Sequence, residues 1–219
     1  MIVWDLDGTI IDSRETIQNA MSRAFNQLGM DSPDYNDTRK IVGLSLDEAC
    51  RGLLPPDASD KLVSDLTHEY KEAFVFLRTQ KGFSERLYDG AVNLLQDLAN
   101  ENCLMGVATG KSRRGIDAVF GHHDLHRYFD TIWCADDGPG KPNPFMVVEA
   151  MKAVGVEVDQ TVMVGDAIHD IIMGRSAGVI THGVTWGFGE PDELTSAGAH
   201  HVHETMPSLS SALMSFSKV

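Results

Sequence analysis

The chain has 219 residues, of which 42% are hydrophobic and 23% charged, and its formal net charge is −14. That length and balance suit one large domain, or a core with a small accessory unit, and the absence of any membrane-length apolar run argues against a spanning segment. A negative overall field disfavours nucleic acid and acidic membranes as partners, and it also repels phosphate esters unless a metal ion and placed cations reverse it locally.

Ile2-Val3-Trp4 is a short apolar run ending at a carboxylate, the pattern of a buried strand. No basic region or long apolar stretch precedes or includes it, so it does not read as a signal peptide, and a cytoplasmic setting is the default expectation. Ile17, Ala20, Ala24, Phe25 and Leu28 recur at helical spacing in 15–28, with Gly29 where a C-terminal cap belongs. The polar stretch 31–38, with Pro33, reads as a loop. A second apolar face (Leu62, Leu66, Tyr70, Phe74, Leu77) predicts a helix over 60–79. With no strong strand signal inside it, 14–82 is expected to be a separate helical unit.

After Gly82 the rhythm alternates. Helix 91–101, strand 104–108, helix 113–120 and strand 131–134 come first. A helix opened by Pro144 and running to about Val154, strand 161–164, helix 168–177 closed by Gly178, strand 181–185, a weaker strand near 200–203 and a last helix follow. This order predicts an α/β fold: a Rossmann-like parallel sheet with helices on both faces, formed by 1–13 and 83–219, plus the inserted helical unit 14–82. Ligands in such sheets bind beyond the carboxyl ends of the strands.

Chemistry-bearing residues sit at those ends. Asp5 and Asp7 follow the first strand, Thr109 and Gly110 the second, Gly140-Lys141-Pro142 lies after the third, and Gly165-Asp166 with Asp170 follows the fourth. This set suits phosphoryl transfer. Asp5 and Asp166 offer hard oxygen ligands to a metal ion. Thr109, the Gly110 amide and Lys141 suit the equatorial oxygens of a phosphoryl group. One carboxylate can act as nucleophile and a second as acid and base.

Taken together, Asp5-Leu-Asp-Gly-Thr-Ile-Ile-Asp12-Ser13, Val107-Ala-Thr109-Gly, Gly140-Lys141-Pro142-Asn-Pro144 and Gly165-Asp166-x-x-x-Asp170 resemble, in order, the four motifs of the haloacid dehalogenase superfamily. The position of 14–82 and the segment Ile41-Val-Gly43-Leu-Ser45 resemble the helical cap and substrate-facing loop of its phosphoglycolate phosphatase-like branch. The resemblance implies a magnesium-dependent phosphatase acting on a small phosphorylated metabolite, 2-phosphoglycolate among the candidates. Asp5 would be the nucleophile and a metal ligand. Asp7 would be the general acid and base, with its backbone carbonyl on the metal. Thr109, Gly110 and Lys141 would bind the phosphoryl group, and Lys141 would also steady Asp5. Asp166 would bind the metal and Asp170 would bind or orient its shell, while Gly43 and Ser45 would face substrate from the cap. Asp7 favours phosphate ester or anhydride chemistry over dehalogenation. A pyrophosphatase, a nucleotide or sugar phosphatase, a phosphosugar mutase and a catalytically silent binding module are the alternatives, and the protein would be a monomer or homodimer.

Other features carry bland readings. Cys50, Cys103 and Cys134 are far apart and lack C-x-x-C spacing, so neither a disulfide framework nor a zinc site is expected. The ten methionines read as core filler. His122, His123, His126, His200, His201 and His203 read as solvated, as do Arg113 and Arg114. His169 reads as a solvated helix residue or a modulator of the site. Ala167 stands where relatives often carry Ser or Thr.

Overall fold

In the computed structural model, which describes residues 1–217, β1 (Ile2–Trp4) lies inside a six-stranded parallel sheet. A separate antiparallel pair, β2 (Ile11–Asp12) and β3 (Arg86–Leu87), forms where the chain leaves the sheet region and returns to it. On one side of β1 lie β4 (Met105–Thr109) and then β5 (Thr131–Cys134). On the other lie β6 (Val162–Gly165), β7 (Ile180–Val184) and β8 (His201–His203). Val3 is in register with Gly106 and Met163, which brings the carboxyl ends of β1, β4 and β6 to one rim.

Both faces of the sheet are covered, which is why its central strands are apolar without alternation. Ile2, Trp4, Val107, Val162 and Val164 pack on one face with Leu94, Leu95, Leu98, Ile116, Phe120, Leu209 and Leu213. Those partners come from α5 (Ala91–Asn100), α6 (Arg113–His123) and α10 (Met206–Phe216). Val3, Ala108 and Met163 face the other way, onto Met146, Val147, Ala150 and Met173 of α7 (Phe145–Val154) and α8 (Ile168–Ala177). Seven methionines are buried in these and neighbouring clusters, as core filler should be.

Between β2 and β3 the chain forms α1 (Arg14–Gln27), α2 (Tyr35–Ile41), α3 (Leu46–Leu53) and α4 (Asp60–Arg78). Met21, Ala24 and Phe25 of α1 close on Cys50, Val63 and Leu66, forming a core of their own. Ser59 caps α4 by accepting from the Leu62 N–H at 3.2 Å. Phe188, from the loop after β7, is buried among Ile17, Ala20, Val42, Ala73 and Phe74, so a residue of the sheet region plugs the inner face of the four helices. Arg39 of α2 adds a two-pronged ion pair with Glu193 (2.7 and 2.9 Å) in α9 (Pro191–Ser196). Among the described residues no helix is long and apolar enough to cross a membrane.

Several local expectations need correction. The loop read at 31–38 ends at Asp34, whose carboxylate accepts from the Asp37 N–H (2.8 Å) and starts α2; the cap outweighs the breaker signal of Pro33. The sequence reading also passed over α3, α9 and the β2–β3 pair, which are too short to show a period. Pro144 is the N-cap of α7 and not its first helical residue.

The histidines divide. His122, His126, His200 and His201 are exposed, but His203 is buried and its Nε2 lies 2.9 Å from Nδ1 of buried His182. His123 is half-buried against the Glu85 carbonyl (2.7 Å), and half-buried His169 reaches the Lys40 carbonyl (3.0 Å). Neither His123 nor His203 is the solvated residue expected. Burial, with neighbouring histidines adding to it, pushes His182 down to about 3. A histidine held neutral in the folded state keeps its full contribution above its unfolded value of 6.5 and loses it as pH falls towards 3. Between pH 6.5 and 4 the wild type is therefore expected to lose melting temperature relative to His182→Asn; identical acid responses of the two proteins would place no lability at His182.

Candidate active site

Asp5 leaves the end of β1 with its N–H bonded to the Val164 carbonyl at 2.9 Å, so its direction is set by β6 next door. The chain then turns sharply back. Gly8 adopts φ +94°, and a Cβ there would fall 2.2 Å from Asp166 Oδ2, so the turn demands glycine for both conformation and space. The turn hands Thr9 to Asp166: its hydroxyl donates to Oδ1 at 2.9 Å. The Phe188 N–H donates to Oδ2 at 2.7 Å, completing a fixed orientation for this fully buried carboxylate. Asp170, in the first turn of α8, accepts from the Ala167 N–H at 3.0 Å. That bond supplies the helix start that Ala167, lacking a hydroxyl, does not.

One carboxylate oxygen from each of Asp5, Asp166 and Asp170 lies within 4.8 Å of the others. Lys141, itself fully buried, is inserted between Asp5 and Asp170. Its ammonium donates to Asp5 and lies 2.6 Å from Asp170 Oδ1, the latter contact being off the hydrogen-bond direction and leaving that oxygen without an aligned donor. Burial pushes the Asp5 carboxyl up to about 7, Asp170 and Asp7 reinforcing the rise and Lys141 opposing it. Asp166 is pushed well up for the same first reason, with Asp5 and Asp170 adding to it. Burial would lower Lys141, but Asp170 and Asp5 outweigh it and hold the ammonium charged.

The Asp7 side chain stands apart from this trio. Its Oδ1 lies 3.0 Å from Nζ of Lys111, which also donates to Glu85 Oε1 at 3.2 Å. Lys111 was not singled out in the sequence, although it follows Thr109-Gly110 directly. Its role is visible only once Glu85, far away in the chain, is placed beside it. The loop 186–189, which holds Asp166 through Phe188, was missed for the same reason. Arg113, expected to be solvated, pairs with Asp137 at 2.5 Å.

A cavity of about 460 Å³ opens over the site. Asp5, Asp7, Thr109, Gly110, Gly43 and Ser45 line it, with apolar walls from Ile17, Met21, Leu46, Tyr70 and Phe74. Lys141, Asp166 and Asp170 are fully buried beneath this lining, and a Cβ on Gly43 would lie 3.8 Å from Lys141 Cδ. A Cβ on Gly110 would sit 2.7 Å from the carbonyl oxygens of both Gly43 and Leu44, so the 41–45 segment is pressed onto the end of β4. The Ser45 hydroxyl donates to Glu48 at the start of α3 (2.5 Å).

Comparison with known proteins agrees with this arrangement. Residues 2–184 match the model of the "Haloacid dehalogenase-like hydrolase" family. The chain is 31% identical over 208 residues to the "Probable phosphatase IndB" of Dickeya dadantii, covering 94% of this chain and 89% of that protein. It is 26% identical to a "Phosphoglycolate phosphatase" of Vibrio parahaemolyticus, covering 95% and 93%. A hydrolase from Pseudomonas syringae of known crystal structure superposes with a TM-score of 0.86 at 26% identity, over 98% of this chain and 97% of that one. With residues 2–184 matched by the family model and most of its length matched by a relative 31% identical to it, the chain belongs to the haloacid dehalogenase-like hydrolase family.

Proposed function

We propose that the protein is a magnesium-dependent phosphatase that hydrolyses a small phosphate monoester through a phosphoryl group carried on Asp5. The observation that carries this reading is a buried trio of carboxylates, one of which, Asp5, also opens onto a cavity shared with Asp7. The donor set fits a hard divalent cation. Among the described residues, Asp5, Asp7, Asp166 and Asp170 meet the cations Lys141 and Lys111, with Arg78 and Glu85 offsetting each other beyond them, so with all four carboxyls ionised the site is short of two positive charges. Asp5, Asp166 and the Asp7 backbone carbonyl would hold magnesium, with Asp170 binding or orienting its shell. When bound, the ion supplies charge neutralisation for a phosphoryl group approaching an acidic site.

The chemistry of the chain's own residues then follows. Asp5 attacks phosphorus, an Asp5–phosphorus bond forms, and the ester P–O bond breaks with its electron pair on the leaving oxygen. That oxygen takes a proton from Asp7. Water then attacks the phosphoryl group, Asp7 accepts a proton from it, and Asp5 is released. Thr109 and the Gly110 amide orient the phosphoryl oxygens, while Lys141 holds Asp5 in line. Residues 14–82 act as a cap on a core of 1–13 and 83–219. Gly43 and Ser45 bring its substrate-facing loop over the site, screening the bound ester from bulk water while Asp5 attacks.

2-Phosphoglycolate is the first ester to test, on the strength of the relative bearing that name. The apolar wall of the cavity also admits a leaving group of greater bulk. Phosphate release should be measured from 2-phosphoglycolate, sugar phosphates, nucleotides and pyrophosphate, with magnesium and with EDTA. Release confined to the magnesium arm is expected, and the rank order assigns the substrate class. Equal release in EDTA would remove the metal from this reading.

A further inference from the structure

Four charged side chains form a line beside the trio. Asp7 Oδ1 lies 3.0 Å from Lys111 Nζ, Lys111 lies 3.2 Å from Glu85 Oε1, and Glu85 Oε2 lies 3.0 Å from Arg78. The side chains of Lys111 and Glu85 are only 8% and 6% exposed, so both are fixed. Lys111 also stands over the Phe74 ring at 5.5 Å, and the Glu85 backbone is pinned by His123. Desolvating a lysine and a glutamate costs several kcal/mol unless each is paired, and a merely structural pair has no need to sit in the catalytic cavity. Lys111 lines that cavity and holds Asp7 Oδ1, an oxygen shut off from solvent, at 3.0 Å. With Oδ1 so held, the other carboxyl oxygen of Asp7 lies outside that pairing and remains free to exchange a proton with a leaving group.

We propose that Lys111 is a positioning residue that aims the Asp7 carboxyl at the leaving-group oxygen, and that Glu85 is the anchor that fixes Lys111. This assignment rests on Asp7 being the general acid. Arg78, at the end of α4, ties the anchor to the four-helix region, and Lys111 ties it to the end of β4. Asp7 is thus aimed by groups from both sides of the cavity.

The test separates aiming from general damage by varying the leaving group. Nitrophenolate departs without a proton, whereas an alkoxide needs one. Lys111→Met keeps the apolar stem and removes the ammonium; Glu85→Gln keeps the shape and loosens the anchor. Each is compared with wild type and Asp7→Asn by kcat/KM on β-glycerophosphate and on p-nitrophenyl phosphate, with folding checked by thermal melts. For Lys111→Met, kcat/KM on β-glycerophosphate is expected to fall about 30-fold or more, within the range of general acid catalysis. On p-nitrophenyl phosphate it is expected to fall less than about threefold, as only the proton transfer is impaired. Glu85→Gln follows the same pattern more weakly, and Lys111→Arg restores most of the loss. Equal falls on both esters would make Lys111 a substrate-binding or structural residue and overturn the proposal, as would no fall on either. If Asp7→Asn itself shows no leaving-group dependence, the acid role of Asp7 fails and the aiming role with it. If Asp7→Asn shows the dependence and Lys111→Met does not, Lys111 alone is misassigned.

Discussion

Asp5→Asn is expected to lower phosphate release by at least about 10³-fold, because knocking out the proposed nucleophile removes the whole covalent route. The fold should survive. Asparagine has nearly the same volume, and Lys141 keeps Asp170 as a partner. Stability should even rise in the metal-free protein. The folded Asp5 carboxyl is raised to about 7 from 3.8, chiefly by burial, so its contribution is full below 3.8 and is lost as pH climbs through 7. Metal-free wild type should therefore melt at lower temperature at pH 8 than at pH 5, and Asp5→Asn should show a smaller drop. Magnesium should restore the wild type at pH 8 and affect the variant less. A melting profile unchanged by the substitution would mean that Asp5 is not strained by its neighbours.

Lys141→Met is expected to be the most destabilising change at the site. Its ammonium is the cation closest to Asp5 and Asp170, and it is completely enclosed. Removing one partner from a buried ionic cluster costs about 3–5 kcal/mol, since the remaining charges stay desolvated. For a chain of this size that corresponds to a fall in Tm of roughly 6–20 °C. The loss should be largest without metal and should shrink when magnesium is added, because a bound cation stabilises the folded state by mass action. Differential scanning calorimetry with and without magnesium measures this directly. A variant that melts like wild type in both conditions would contradict the role given to Lys141 as the internal counter-ion.

The parts of the site that could be read in the sequence are those where chemistry coincides with a strand end. Asp5, Thr109 and Asp166 each follow an apolar run, and parallel register brings those run ends together. Helices with long periodic faces, α1 and α4, were equally readable. What escaped depends on contacts between distant segments. Lys111 looks like any lysine opening a helix until Glu85 is beside it. His182 and His203 sit on neighbouring strands that pair only in the folded sheet, and nothing in either stretch announces that two imidazoles will share one buried hydrogen bond. Phe188 is an aromatic in a glycine-rich loop, yet its N–H orients Asp166 and its ring fills the four-helix core. The short helices α2, α3 and α9 have too few turns for a period, and the caps that start them are local hydrogen bonds, not patterns of hydrophobicity.

The covalent phosphoryl group is the central claim, and it can be weighed directly. The protein would be mixed with an accepted ester and magnesium, quenched in acid within the first turnover, digested, and analysed by mass spectrometry, with Asp5→Asn as the blank. The account predicts one added phosphoryl group on the peptide carrying Asp5, absent from the blank and lost on mild alkaline treatment. Turnover with no adduct on that peptide at any quench time, or an adduct on a different residue, would contradict it.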